Sequence, residues 1–153
     1  MPRIRYKAER VDDERREFLD DRERGVLKQA PELGPLRDRL VGLGGKWVIL
    51  PVIEEDLKAI MERGELKTGR PLMRRGANCK CHFNSCCLWE NNKDKLEIMT
   101  GYALSRDGVW RQHTWCWWKA RKKVVETTET RVAYYGFRMT REEAEKFWDE
   151  NAL

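Results

Sequence analysis

The stretch Lys95–Glu129, "KLEIMTGYALSRDGVWRQHTWCWWKARKKVVETTE", decides the fold class. "KLEIMTGYALS" alternates as a strand does, "RDG" is a turn, and "VWRQHTWCWW" alternates again. "KARK" supplies a second turn and "KVVETTE" a third strand; "RVAYYGFRM", Arg131–Met139, continues the pattern as a fourth. Thr140 with Glu143 is a capping-box pattern that opens a final helix, "REEAEKFWDENA".

Upstream the period changes. Residues 12–30 mix both charge signs with Phe18, Leu19, Val26 and Leu27, which predicts a solvated helix interrupted near Gly25. Pro31, Gly34, Pro35, Gly42, Gly44 and Gly45 mark connections around one short helix. "KWVILPVI", broken by Pro51, suits a short edge strand, and "EEDLKAIMERGEL" a helix stopped by Gly64. "KTGRPLMRRGAN" reads as a basic loop. Helices, then an antiparallel meander of about four strands, then a closing helix make an α+β fold. Residues 1–45 are expected to form a charged helical extension packed on the core, and residues 46–153 the working domain, within one domain overall.

Composition narrows the classes. The chain has 153 residues, long enough for a core without staples, and 41% of them are hydrophobic. The net charge of +5 comes from 31 basic and 26 acidic residues, spread without a block of like charge, so nucleic acid is not indicated as a partner. No apolar run is long enough to span a bilayer, and the N-terminus lacks the apolar region of a secretory signal. A cytoplasmic location is expected, where five cysteines, an odd number, argue against a disulfide framework.

Four of those cysteines lie in "NCKCHFNSCCLW", Asn78–Trp89. Structural zinc wants pairs at C-x(2–4)-C spacing. Here Cys79 and Cys81 are one residue apart, Cys86 and Cys87 are adjacent, and no distant second pair exists beyond Cys116 and His113. On a helix over Lys80–Asn91, Phe83, Cys86, Cys87 and Leu88 form an apolar stripe that Trp89 extends, so Cys86 and Cys87 read as core. Cys116, among Trp115, Trp117 and Trp118, reads the same way. Cys81 differs because it falls at the helix start, where unpaired N–H groups and the positive end of the dipole favour a thiolate.

A nucleophilic thiol needs a base and a group to orient that base. His82, the helical neighbour of Cys81, is expected to point elsewhere, which leaves His113 on the second strand. Glu126 on the third strand sits beside two valines, where a carboxylate needs a partner. A two- or four-residue connection between the strands puts His113 and Glu126 on one face. With a two-residue loop at Lys119 and Ala120 they lie directly opposite. Glu126 on Nδ1 would then leave Nε2 of His113 for Cys81. Asn78 is a candidate oxyanion donor or a loop residue, Trp110 a candidate cleft wall along with Trp115 and Trp117, and Gln112 a weaker candidate facing away from His113. Asn84 reads as a helix residue bonded to a nearby loop.

The order of "CHFNSCCLW", "GYALSRDGVWRQHTW" and "VVETTETRVAYYG" resembles the papain-like cysteine hydrolases, and most nearly their transglutaminase-like and small bacterial or phage amidase branches. The resemblance covers Asn78–Gly136. It implies a papain-like fold in which a Cys opens a helix packed on an antiparallel sheet carrying His and then an acid or Asn. Glu126 stands where Asp is more usual, and the upstream Gln of the family is not evident.

The combined expectation is a cysteine-dependent acyl-transfer enzyme, an amidase, peptidase or transglutaminase-like protein, with Cys81, His113 and Glu126 as its triad. It needs no cofactor or metal and would act on a protein, peptide or small amide. A non-catalytic interaction module with a Trp-rich core and a small zinc-binding protein are the alternatives.

Overall fold

A computed structural model describes residues 3–152. Asp12 caps α1 (Asp13–Gln29) by accepting the Arg15 N–H at 2.8 Å. The helix runs unbroken through Gly25, against the expected interruption. An exposed glycine costs a helix only about 1 kcal/mol, and Val26 beyond it is anchored in the core. A single turn over Pro31–Leu33 leads into α2 (Gly34–Leu43), followed by β1 (Trp47–Val48) and α3 (Leu57–Arg63).

Next come β2 (Glu65–Thr68), β3 (Leu72–Met73) and α4 (Cys81–Glu90). The meander is β4 (Leu96–Leu104), β5 (Val109–Trp118), β6 (Lys123–Glu126) and β7 (Ala133–Arg138). The closing helix α5 (Arg141–Asn151) carries the full Thr140–Glu143 capping box.

The fold is α+β, but its sheet is not four antiparallel strands. It is a curled, mixed, seven-stranded sheet in the order β2-β7-β4-β5-β6-β3, with β1 beside β5. β1 with β5 and β3 with β6 are parallel pairs. β2 and β3 lie largely within what reads as a basic loop, and two to four residues are too few to display a period of two. Their pairing is set by distant strands instead.

Alternation along the long strands separates two apolar layers. One face carries Ile98, Tyr102, Leu104, Trp110, Cys116 and Phe137, and packs with Leu33, Leu36 and Leu40 from the N-terminal elements and Trp89 of α4. The other carries Met99, Ala103, Trp115, Trp117, Val124 and Tyr134, strand residues buried in the curl of the sheet. Gly136 is obligatory there, because a β-carbon would meet the Thr100 carbonyl and the ring of Trp115. α1 is tied to the core by Asp20, which accepts the Trp47 indole N–H at 2.7 Å. Buried Glu23 adds an ion pair with Arg37 and accepts the Val48 N–H at 3.2 Å.

One discontinuity positions the site. On the edge away from β4, β5 pairs with β1 at Val109 and Trp110 and with β6 from Cys116 to Trp118. Arg111–Trp115 has no strand on that side among the described residues, and His113 lies in the gap. Also among the described residues, no helix is long and apolar enough to cross a membrane.

Candidate active site

Cys81 is the first residue of α4. The capping position ahead of it is Lys80, which makes no side-chain cap, so the first N–H groups of the helix stay open. Ser, Thr or Asp in that position would stabilise the helix by about 1 kcal/mol and would occupy those donors. The loop before Cys81 is held instead by Asn84, whose Oδ1 accepts the Ala77 N–H at 3.0 Å and whose Nδ2 donates to the Ala77 carbonyl at 2.7 Å. Gly76 allows this clamp, since a β-carbon there would overlap the Asn84 amide. The loop also follows the end of β6, with Arg74 N–H donating to the Glu126 carbonyl and Gly76 N–H to that of Thr127, both at 2.8 Å.

His113 Nε2 lies 2.8 and 3.0 Å from the two carboxylate oxygens of Glu126. The connection between β5 and β6 is four residues long, pairing Trp118 with Lys123 instead of Arg121. Even length keeps His113 and Glu126 on one face but sets them diagonally, not directly opposite. The expected ring orientation is reversed: Nε2 meets the carboxylate, so Nδ1 is the nitrogen left for Cys81.

Glu126 is fully buried and has donors on both oxygens. Oε1 accepts the N–H groups of Thr127 (2.9 Å) and Thr128 (3.0 Å) and the Thr128 hydroxyl (3.1 Å), while Oε2 accepts the Tyr134 hydroxyl at 2.8 Å. Burial works against this carboxylate, but His113 and these donors outweigh it and lower its pKa. Burial likewise opposes the charged form of His113, and hydrogen bonds with Cys81 and Glu126 reverse the balance and raise its pKa. Burial would also keep the Cys81 proton on; hydrogen bonds with His113 and His82 bring the thiol down to about 5. Thiol lowered and imidazole raised both favour the thiolate–imidazolium form of the pair over the neutral one.

His82 does not point away. Its Nδ1 is 3.4 Å from Cys81 Sγ, and its ring packs on Phe147 of α5 with centroids 5.3 Å apart. Neighbouring β-carbons on a helix diverge by about 100°, but an imidazole on the first turn is long enough to reach back.

The remaining candidates divide. Asn78 is exposed in the turn before α4. Trp110 is core and not a cleft wall: it is fully buried, and its indole N–H donates to the Gly44 carbonyl at 2.9 Å. Trp115 and Trp117 also pack inside the sheet. Gln112 donates to Glu54 Oε2 at 2.9 Å and lines a slot of about 50 Å³ shared with His113 and His82. Cys86 and Cys116 are buried, Cys87 is half-buried, and Phe83 departs from the expected stripe at 38% exposed. Among the described residues, no group of three or more His, Cys, Asp or Glu side chains is disposed to hold a metal ion.

Sequence reasoning missed Tyr134, Thr128 and His82. A buried carboxylate always needs several donors, so Glu126 itself called for a search among hydroxyls on neighbouring strands. A comparison with protein-family models finds no match, and comparisons with curated proteins and with solved structures find none either.

Proposed function

We propose that the protein is a cysteine-dependent acyl-transfer enzyme with a papain-like arrangement of Cys81, His113 and Glu126. The observation that carries this reading is the buried His113–Glu126 pair, at 2.8 Å, on strands beside the helix that opens on half-exposed Cys81, with the thiol held at about 5. A helix that opens on the cysteine and packs beside the strands bearing the histidine and the acid supports the papain-like likeness.

The thiolate of Cys81 attacks the carbonyl carbon of an amide or thioester. As the C–S bond forms, the carbonyl oxygen takes the negative charge and is received by the open N–H groups at the start of α4. Collapse breaks the bond to the leaving group, and His113 delivers its Nδ1 proton to a departing amine. Water or an amine then attacks the thioester, gives its proton to His113 and releases Cys81. Glu126 fixes the ring and stabilises the imidazolium.

Alkylation of Cys81 by iodoacetamide across pH tests this reading. The rate should rise with a midpoint near 5 in the native protein. In His113→Ala the midpoint should move upward and the rate at pH 6 should fall about tenfold, the lost thiolate being partly offset by greater nucleophilicity. A native midpoint near 9.0, the ordinary thiol value, would sink the mechanism.

A further inference from the structure

We infer that the groove along the outer flank of α4 docks a partner protein through an acidic peptide segment with an apolar centre. Neither Cys81 nor His113 lines this groove, so docking there is separate from the acyl-transfer chemistry.

The groove consists of two adjoining cavities, of about 650 and 230 Å³, that share Arg74 and Leu88. One wall is α4, where Phe83, Cys87 and Asn91 recur at helical spacing on the side away from buried Ser85 and Trp89. The other wall is β3 and the chain that follows it to Ala77. β3 ends the sheet order and pairs with β6 alone, so no further strand covers this margin among the described residues.

The floor is apolar and carries one unmet polar group. Leu72, Met73 and Leu88 are half-buried, and Phe83 is a large apolar side chain left exposed. Apolar surface of this kind, rimmed by charge, marks sites of interaction. Thr127 lines the larger cavity and is 1% exposed, and its hydroxyl oxygen has no hydrogen-bond partner among the described residues. A peptide carbonyl or carboxylate reaching that floor would accept the hydroxyl and remove the cost of leaving it unpaired.

The rim has a single sign. No Asp or Glu lines either cavity. Arg74 and Arg75 stand at the larger one and Lys95 at the smaller, while Arg121 lies over the Trp118 ring, 4.8 Å from its centroid, at the far end. None of these cations forms an ion pair among the described residues. Glu129 precedes Thr130, whose hydroxyl meets Met73 Sδ at 3.5 Å, but it is held by Arg131 at 3.2 Å. In a chain with 26 acidic residues, a groove with unpaired cations at both ends and no acid complements a negatively charged partner.

The apolar floor favours a peptide over a nucleic acid. Single-stranded nucleic acid stacks its bases on open aromatic faces, whereas Arg121 covers Trp118 and Phe83 stands alone. Leu72 and Leu88 instead match leucine or phenylalanine side chains, with acids on either side of them reaching the cations.

Fluorescence anisotropy measures binding of the full chain to fluorescein-labelled EEFALLEE, with KKFALLKK, EESASSEE and a short oligouridylate as comparison probes. EEFALLEE should bind at least about tenfold more tightly than either other peptide, and less tightly as salt rises from about 50 to about 200 mM. Arg74→Glu and Arg75→Glu should each weaken it about tenfold, and both side chains are exposed, so the fold is kept and circular dichroism checks it. Phe83→Ser should weaken it as well. Bound peptide should slow alkylation of Cys87, which lines the groove, and leave that of exposed Cys79 unchanged. Equal binding of KKFALLKK or EESASSEE, or tighter binding of the oligouridylate, overturns the acidic-peptide assignment. An affinity that survives both arginine substitutions, an unprotected Cys87, or no binding of EEFALLEE at about 1 mM overturns the groove as its site.

Discussion

The first turn of α4 and its middle hold chemically identical thiols that the fold drives in opposite directions. Burial disfavours the thiolate at both Cys81 and Cys86. At Cys86 only Cys87 adds to that effect, and the thiol is pushed up to about 12. At Cys81 two imidazoles overturn it, and the thiol falls to about 5. Besides the open N–H groups of the helix start, Cys81 has His82 Nδ1 at 3.4 Å and His113 acting to lower it, and Cys86 has no imidazole among its causes. One helix therefore carries a reactive thiol and an inert one, and the partner decides which is which.

The sharpest test of that contrast is selective labelling. At pH 6.5 iodoacetamide should modify Cys81 at least about a thousandfold faster than Cys86 or Cys116, whose reaction waits on unfolding. Peptide mapping by mass spectrometry measures the ratio, with exposed Cys79 as an internal reference. Comparable rates at Cys81 and Cys86 would erase the distinction between the two parts of α4.

Breaking the far end of the chain should be nearly as costly. Glu126→Ala leaves His113 buried without its counter-charge, and loss of one partner of a buried pair costs about 3–5 kcal/mol. Urea unfolding measures it. The pH dependence has two opposed limbs. Glu126, with its pKa lowered from 4.5, contributes stability that is complete above that value and is lost as pH falls through the depressed one. His113, with its pKa raised from 6.5, contributes stability that is complete below that value and is lost as pH rises through the elevated one. Native stability should therefore be greatest between about 4.5 and 6.5 as far as this pair is concerned. Glu126→Gln should flatten both limbs.

Much of this contrast was legible in the sequence, for physical reasons. Period two is strong in strands of nine and ten residues, so β4 and β5 stand out, and an apolar helix beginning at a cysteine announces α4. Even loop length is enough to bring His113 and Glu126 to one face, whichever even number is used. Other features carry no local signal. β1 and β3 are two residues each and exist only through parallel pairing with distant strands. Which imidazole nitrogen meets Glu126 depends on the direction from which each partner approaches the ring, and that follows from a diagonal register and a gap in the sheet edge. Tyr134 reaches Glu126 across the curl, a contact made by three-dimensional bending and not by spacing.

His82 offers the smallest expected effect and the finest test of how the thiol is lowered. It is exposed, so water screens its contribution, and burial works against the shift it helps to produce. His113 is almost wholly buried and backed by a carboxylate. His82→Ala should therefore raise the midpoint of Cys81 alkylation by less than His113→Ala does, with a rate loss at pH 6 of about threefold. Salt separates the two partners further. Raising ionic strength should shrink the His82 contribution while leaving that of His113 nearly intact, because only the exposed imidazole is open to counter-ions. Equal effects of the two substitutions at every salt concentration would mean that the thiol is lowered by a shared field at the helix start, and the division between first turn and middle would then rest on the dipole instead of the histidines.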